Sequence, residues 1–172
     1  MQRPVDARRW AQTLGASEVQ RIMKRSFSMS AEENKSLVHR YVEQILNRGN
    51  MAVADELLAP DYRRHISPTT APLSIDVQKQ RLAGIRTAFP DWHLTVEDMI
   101  ADGDRVAFRA TIRGTHKGTF QSIAPTGTAV TVSALDIVRI ENGKLVEHWG
   151  GPDLLNLLQQ LGAVISPGPQ NK

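Results

Sequence analysis

Apolar residues at helical spacing dominate the first half of the chain. Downstream of Ser30 they recur every three or four residues, which predicts a helix with one buried face. Ser30 and Glu33 have the spacing of a capping box at its start, and Gly49 provides the left-handed residue that commonly ends a helix. Shorter apolar patterns predict a second helix over about 51–58 and a third over 75–89.

The segment 61–72 has the composition of a loop, because serine, threonine and proline fill its second half. Pro60 closes the short helix that precedes it. Tyr62 and His65 stand at the start of this segment, and both are side chains that can line a pocket. We therefore expect a surface connection that contributes two residues to a binding site.

The pattern changes from a period of 3.6 to a period of 2 after Pro90. It predicts strands over 92–97, 105–114, 128–140 and 144–149, with a further extended stretch over 116–122. Asn142-Gly143 has the sequence of a tight hairpin turn, and a helix over 152–161 follows the last strand. Helices that come first and antiparallel strands that follow predict the α+β class.

The two-residue turn also predicts the register of the last hairpin. It pairs Glu141 with Lys144, and an uninterrupted count from there places Asp136 opposite Trp149, with His148 facing the other side. Both faces of the hairpin carry apolar residues, so both are expected to be covered. Helices would cover one face, and a partner subunit or another sheet would cover the second. This pattern predicts a homodimer formed through the sheet.

Asp136 is the least expected residue of the strand pattern. A carboxylate in mid-strand among apolar neighbours costs free energy unless it is hydrogen-bonded or has a chemical role. Two interpretations stay open, a fully bonded buried aspartate and a general acid–base group in an apolar pocket. In the catalytic interpretation His65 is its partner across the pocket, while Tyr62 and Trp149 shape the pocket and form hydrogen bonds.

Three further residues are candidates for the pocket lining. Asp153 precedes the last predicted helix, where it either caps the helix or faces the pocket. Trp92 is expected in the core or the pocket wall, and His116 at the pocket mouth or at a bend of the sheet. The sequence contains no spacing typical of a metal site, a phosphate-binding loop or a nucleophile elbow, so no metal or cofactor is expected.

Composition and charge narrow the functional classes. The 172 residues include no cysteine, which excludes disulfides and thiolate chemistry and fits a reducing cytoplasm. No apolar run approaches the roughly 20 residues that span a bilayer, so no membrane segment is expected. The net charge of +3 arises in residues 1–29, which carry +4, whereas the remaining chain carries −1. Nucleic-acid binding is therefore not expected of the body of the protein.

The same patterns divide the chain into three segments. Residues 1–29 are expected to be an N-terminal extension, helical or partly disordered, and 30–163 a single domain. Residues 164–172, with two prolines and a glycine, are expected to form a tail.

Several short motifs together resemble the SnoaL-like polyketide cyclase family. They are Leu58-Ala59-Pro60-Asp61-Tyr62, Gly114-Thr115-His116-Lys117-Gly118, Pro125-Thr126-Gly127, the run from Ile140 to Trp149, Asp153, and Gln160-Leu161-Gly162. The resemblance covers about residues 32–163. It implies a cone-shaped α+β barrel, in which N-terminal helices pack in the concave face of a curved, mainly antiparallel sheet. It also implies a deep pocket, usually no cofactor, and often a dimer.

The resemblance further implies a site in which several positions are changed. The aspartate that serves the cyclases as acid and base falls on Gly150, and their partner histidine falls on Asp136. An asparagine of their pocket falls near Arg64 or His65. Two functions stay open. The first is a cofactor-independent cyclase, isomerase or hydrolase that acts by general acid–base chemistry on a small hydrophobic substrate. The second is a non-catalytic module that binds a small ligand or dimerises.

Overall fold

The computed structural model describes residues 29–163, in which helices precede most of the strands. The helices are α1 (Ala31–Tyr41), continued by a π-helix over Val42–Asn47, a 3₁₀ turn over Met51–Val53, α2 (Ala54–Leu57), α3 (Ile75–Ala88) and α4 (Leu154–Gln160). The strands are β1 (Leu58–His65), β2 (His93–Asp102), β3 (Arg105–Thr115), β4 (Ala129–Glu141) and β5 (Lys144–Pro152). The predicted α+β class is confirmed. Almost all of the predicted extension, and the whole tail, lie outside the described residues.

Helix α1 begins with the predicted capping box. The Ser30 hydroxyl accepts a hydrogen bond from the backbone N–H of Glu33 at 3.2 Å, and the Glu33 carboxylate accepts one from the backbone N–H of Ser30 at 2.7 Å. Two N–H groups that the helix itself leaves unpaired are thereby satisfied. Val38 and Tyr41, on the apolar face of the helix, are fully buried in the core.

The five strands form one open, mixed sheet in the order β1-β5-β4-β3-β2. The pairs from β5 to β2 are antiparallel, whereas β1 runs parallel to β5. Residues of β4 alternate between buried positions and exposed or half-buried ones, with the even-numbered side chains buried from Val130 to Ile140. The sheet therefore has a buried face that packs in one core with residues of α1, α3 and α4, and an outer face that is largely exposed.

The predicted loop over 61–72 was wrong in its first part, because residues up to His65 belong to strand β1. Arg63 pairs with Glu147 and His65 pairs with Trp149, so this edge strand is fixed by its parallel neighbour. The sequence pattern did not indicate a strand, because Pro60 and several charged residues interrupt the alternation, and the pairing itself is irregular after Leu58.

The predicted extended stretch over 116–122 also differs from the structure. Gln121 and Ser122 have positive φ values of 47° and 68°, and Phe120 pairs with Ile123 across this turn. The segment therefore reverses direction, and no element of the sheet runs through it.

The register of the last hairpin departs from the prediction at a bulge. The turn forms as expected, and Glu141 pairs with Lys144. Ile140 then pairs with Leu145, but the next residue of β4, Arg139, pairs with Glu147. Val146 is thus an extra residue in β5, and it moves every later pair of the hairpin by one position.

This displacement exchanges the two faces of the end of β5. Asp136 lies opposite Gly150, and Ile137 lies opposite Trp149. Side chains alternate along a strand, so a shift of one residue transfers each of them to the other face. The predictions that Trp149 shares the face of Asp136 and that His148 faces away from it were therefore both wrong. His148 is buried beside Asp136, and Trp149 lies on the outer face.

Candidate functional site

A cavity of about 50 Å³ lies between α3 and the buried face of the sheet. Its apolar walls include Leu82 and Ile85 of α3 and Ile112 of β3. Its polar lining consists of six side chains, Arg64, Gln78, Arg81, Arg86, Asp136 and His148. The cavity therefore combines apolar walls with several ionisable groups, which is the usual composition of a small-molecule site.

Asp136 is buried in this cavity wall, with only 5% of its surface exposed. His148 Nε2 lies 2.8 Å from Asp136 Oδ1, and the two terminal nitrogens of Arg64 lie 3.4 and 3.5 Å from the same oxygen. All three contacts use Oδ1. Oδ2 makes no hydrogen bond with any residue between 29 and 163. One oxygen of the carboxylate is thus anchored, and the other has no hydrogen-bond partner among these residues.

His148 connects Asp136 to two buried tyrosines. Its Nε2–H donates to the carboxylate, so Nδ1 is the acceptor, and the hydroxyls of Tyr62 and Tyr41 lie 3.2 and 3.4 Å from it. Burial lowers the pKa of His148 to about 4, and the nearby charge of Arg64 acts in the same direction. The hydrogen bond to Asp136 opposes these effects without cancelling them. The imidazole is therefore neutral at neutral pH.

Tyr41 and Tyr62 remain protonated donors in this network. Both side chains are fully buried, and burial raises the pKa of each hydroxyl above its usual range. A tyrosine hydroxyl that donates to Nδ1 leaves the proton of the imidazole on Nε2, where it faces Asp136. The tyrosines thereby fix the tautomer and the orientation of His148.

Arg64 forms a hydrogen bond with the backbone of Gly150, the position that the cyclase resemblance assigns to an aspartate. Its Nη2 donates to the carbonyl oxygen of Gly150 at 2.7 Å. Gly150 has a φ of +97°, and a Cβ added there would clash with the Leu135 carbonyl oxygen and lie 2.9 Å from Cα of Asp136. A Cβ on Gly151 would lie 3.1 Å from Arg64 Nη2. Gly151 thus leaves room for the guanidinium, and the backbone at Gly150 accepts no side chain without a shift of β4.

His65 does not join Asp136 in this cavity. Alternation along β1 turns Tyr62 and Arg64 inward and His65 outward. On the outer face the His65 ring stacks on Trp149, with ring centroids 4.8 Å apart, and its Nε2 lies 3.2 Å from a carboxylate oxygen of Glu147. The sequence predicted that Asp136 and His65 face the same cavity. In the structure they lie on opposite faces of the sheet.

The other candidate residues occupy separate places. Trp92 lines the cavity. His116 is fully buried outside it, where its ring stacks on Phe89 at 5.1 Å and its Nδ1 contacts Thr126. Asp153 is exposed and caps α4, because its carboxylate accepts from the backbone N–H of Asn156 at 3.0 Å.

Sequence reasoning missed several polar residues that meet in the site. An uninterrupted hairpin count places His148 on the wrong face, and the predicted pocket lining lacks Gln78 and Arg81, although α3 carries both on the same side as Ile85. Gln78, Arg81 and Ile85 follow one another at spacings of three and four residues, which places them on one face of a helix. This spacing is the sequence signal that indicates their common position. Polar side chains at core-facing positions of an amphipathic helix are candidates for a site.

No helix in the described part of the chain is long and apolar enough to cross a membrane. Between residues 29 and 163, no three histidine, aspartate or glutamate side chains are grouped as the ligands of a metal ion would be.

Comparison with known proteins assigns the family. The sequence model of the SnoaL-like polyketide cyclase family matches residues 36–161. The chain belongs to this family. The resemblance seen in the sequence motifs is thereby confirmed. The open, mixed sheet with helices against one face is the cone-shaped α+β arrangement of SnoaL-like structures. A comparison with curated proteins found no match.

The solved structures to which this chain is similar include three from Streptomyces. AclR from Streptomyces galilaeus is 31% identical, with 81% of this chain and 87% of that chain covered and a TM-score of 0.73. IdmH from Streptomyces antibioticus is also 31% identical, with 75% and 98% covered and a TM-score of 0.68. TsrD from Streptomyces laurentii is 28% identical, with 79% and 99% covered and a TM-score of 0.70.

Proposed function

We propose that this SnoaL-like protein is a cofactor-independent enzyme that works by general acid–base catalysis, with Asp136 as the group that takes up and returns a proton. The observation that carries the proposal is the unequal use of the two carboxylate oxygens. Oδ1 is bound by His148 and Arg64, whereas Oδ2 has no hydrogen-bond partner among residues 29–163. Asp136 also lines the cavity. A carboxylate that is held in place through one oxygen, with its second oxygen unbonded, is oriented for proton transfer.

The proposed reaction begins at a carbon next to a carbonyl group of the substrate. Asp136 Oδ2 accepts the proton, so the C–H bond breaks, an O–H bond forms, and the electron pair moves into the carbonyl to give an enolate. In a cyclase the enolate carbon bonds to a carbonyl carbon elsewhere in the same molecule, and the electron pair of that C=O π bond moves to its oxygen, which takes the proton. In an isomerase the enolate regains the proton at another carbon. Asp136 returns the proton in both cases. In a hydrolase the same oxygen would take a proton from water while the water oxygen bonds to an ester or epoxide carbon, and Asp136 would return the proton to the oxygen whose C–O bond breaks.

His148 and Arg64 act as positioning residues in this proposal. Arg64 offsets the negative charge of the buried carboxylate, and neutral His148 holds Oδ1 through its Nε2–H. His148 thus takes the role of partner that the sequence assigned to His65. The apolar walls of the cavity support a substrate with a hydrophobic part.

The family leaves the product of the reaction open. AclR is a proposed hydroxylase, whereas IdmH is a proposed polyketide cyclase. Since relatives of similar identity are assigned different activities, the proposal for this chain specifies the proton transfer and its residues, not the final bond that is made.

The experiment compares the native chain with Asp136→Asn and with Asp153→Asn, a matched control that changes an exposed carboxylate in the cap of α4. A panel of small ketones, lactones, epoxides and esters is screened for hydrogen–deuterium exchange in D₂O and for products. We expect Asp136→Asn to lower turnover by about a hundredfold or more, the usual contribution of a general acid–base group. Asp153→Asn should retain it.

Thermal unfolding of each variant checks that the fold is intact. Asp136→Glu, which keeps the charge but moves it by one methylene, is expected to retain part of the activity. Equal turnover by the native chain and a folded Asp136→Asn variant would refute the acid–base role. Ligand binding without turnover in both would favour a non-catalytic binding module.

We also propose a homodimer through the outer face of the sheet. Ile100, Ala107, Ile137, Trp149 and His65 are directly opposed neighbours and form an outer row across all five strands. Ile100 is 72% exposed, and Leu135 beside this row is 67% exposed. The row is mostly apolar and is exposed or half-buried along its length, and such a sheet face is typical of a protein–protein contact.

Light scattering with size exclusion tests the dimer. Ile137→Glu in the outer row is expected to give a monomer. Val77→Glu, which changes a similarly exposed apolar residue on α3, should leave the mass unchanged. A native chain that stays monomeric at the highest concentrations reached would rule out this interface.

A further inference from the structure

The cavity carries more positive than negative charge. Three arginines line it, Arg64, Arg81 and Arg86, whereas Asp136 is its one carboxylate among the described residues. His148 contributes no charge at neutral pH, because burial lowers its pKa to about 4. The site therefore contains positive charge that the residues between 29 and 163 do not neutralise.

Two of the three arginines already have partners. Arg64 contacts Asp136 and donates to the carbonyl oxygen of Gly150. The guanidinium of Arg86 donates to the backbone carbonyls of Leu46 and Asn47, at the end of the π-helix that continues α1. Both side chains thus have structural roles, although Arg64 Nε is buried without a partner among the described residues.

Arg81 is different, because its guanidinium makes no hydrogen bond or ion pair within residues 29–163. It is only partly exposed, and burial, followed by the charge of Arg64, lowers its pKa, whereas Asp136 raises it. An arginine nevertheless stays charged in proteins, and it presents five N–H donors. A partly buried cation of this kind is costly unless a counter-ion satisfies it.

Gln78 supplies a second and independent unsatisfied group. Its side chain is 2% exposed, and its carbonyl oxygen Oε1 is buried without a hydrogen-bond partner in the described chain. Gln78 precedes Arg81 by three residues on α3, so both side chains project from one face of the helix into the same cavity. Buried amide oxygens are rarely left unpaired in a folded protein.

We propose that Arg81 and Gln78 form a subsite for the carboxylate end of the substrate, with Arg81 pairing the carboxylate and Gln78 Oε1 accepting from a hydroxyl or N–H group beside it. The inference rests on the proposed function and names its substrate class, a small organic acid with a carbonyl group, in place of a fully hydrophobic molecule. One unpaired cation matches one negative charge, and a guanidinium binds a carboxylate through two parallel hydrogen bonds. A cavity of about 50 Å³ accepts a group of a few atoms.

The first test compares two probes of nearly equal shape, levulinate (4-oxopentanoate) and the neutral levulinamide. Both have a ketone with exchangeable C–H groups, and only levulinate carries a carboxylate. Binding to the full native chain is measured by calorimetry in a low-chloride buffer. We expect levulinate to bind about tenfold to a hundredfold more tightly, the usual effect of charge-assisted hydrogen bonds. Equal or weaker binding of levulinate, or no measurable binding of it, would overturn the proposal without any variant.

Variants assign this preference to Arg81. Arg81→Met removes the charge at similar length and is expected to abolish the preference for levulinate, whereas Arg81→Lys should keep part of it. Arg113→Met removes one positive charge from the exposed outer face of β3 and should keep it fully. A preference that survives in folded Arg81→Met would refute the assignment. If Arg81→Met does not fold, the assignment is tested by the smaller preference of Arg81→Lys for levulinate, compared with the preference of the native chain.

Hydrogen–deuterium exchange on the two probes separates this subsite from the acid–base role. If Asp136→Asn abolishes exchange on levulinamide while levulinate shows no preferential binding, the subsite is refuted and the acid–base function stands. If levulinate binds through Arg81 but exchange is equal in the native chain and Asp136→Asn, the subsite stands and the acid–base function is refuted.

Discussion

His148 Nε2 lies 2.8 Å from Asp136 Oδ1, although an uninterrupted hairpin would place these residues on opposite faces of the sheet. The extra residue Val146 in β5 brings them together. The contact joins a neutral imidazole, two buried tyrosines and a carboxylate in one hydrogen-bonded chain. Its consequences for stability and for tolerance to substitution can be measured.

The stability of the protein should fall as pH drops from 7 to 5. The pKa of His148 is about 4 in the folded chain and about 6.5 when unfolded, so the unfolded state binds a proton that the folded state refuses. The stability contributed by neutral His148 is fully present above pH 6.5, the pKa of the residue in the unfolded chain. It decreases as the pH falls toward about 4, the pKa in the folded chain. We expect a loss of about 2 kcal/mol between pH 7 and pH 5, measured by urea unfolding.

Most carboxylates titrate below about pH 5, so a loss of stability between pH 7 and pH 5 can be attributed to His148 and not to them. His148→Gln keeps a donor toward Asp136 and should remove most of the pH dependence. His39→Gln, on the exposed side of α1, should leave the dependence unchanged. A native chain equally stable at pH 7 and pH 5 would contradict the buried neutral imidazole.

Gly150→Asp should not restore a cyclase-like site, and it should destabilise the fold. A side chain there meets the Leu135 carbonyl at a φ of +97°, which combines a backbone clash with a strained conformation. We expect a loss of about 2 kcal/mol or more in urea unfolding. Gly103→Ala is the matched control, since Gly103 has a φ of +56° with nothing within 4 Å of the added Cβ. A Gly150→Asp variant no less stable than Gly103→Ala would show that the clash is absent.

Arg64 and Asp136 should be energetically coupled. Both side chains are almost fully buried, and removing one partner leaves the other charge unpaired. Arg64→Met and Asp136→Asn are each expected to cost about 3 kcal/mol, and the double variant less than their sum. Denaturant unfolding of the four chains measures the coupling. Strictly additive effects would indicate that the long contact of 3.4 Å contributes nothing.

The cap of α1 gives a prediction independent of the cavity. Ser30→Ala removes the side-chain acceptor for the Glu33 N–H and should cost about 1 kcal/mol. Ser36→Ala, at an exposed position inside the same helix, should be neutral or slightly stabilising, because alanine is the better helix former. Thermal unfolding compares the two, and an equal effect would mean that the cap is not formed in solution.

Local signals in the sequence predicted most of the elements. Ser30 and Glu33 set the start of α1, and Asn142-Gly143 set the hairpin turn, because caps and tight turns depend on residues adjacent in the chain. The edge strand β1 escaped prediction, since its conformation depends on pairing with β5, which lies about 80 residues away along the chain. The family could be recognised from motifs of the same local kind.

The sequence by itself determined the α+β class, the family and the unusual carboxylate at Asp136. Only the tertiary structure decided which side chains meet that carboxylate. The bulge at Val146 places His148, and not Trp149, on the face of Asp136. Alternation along β1, a strand that the sequence did not predict, places Arg64 there and His65 on the outer face. A strand has a side-chain period of two, so a single inserted residue or a single pairing fixes the face of every residue beyond it. That choice depends on contacts between distant segments.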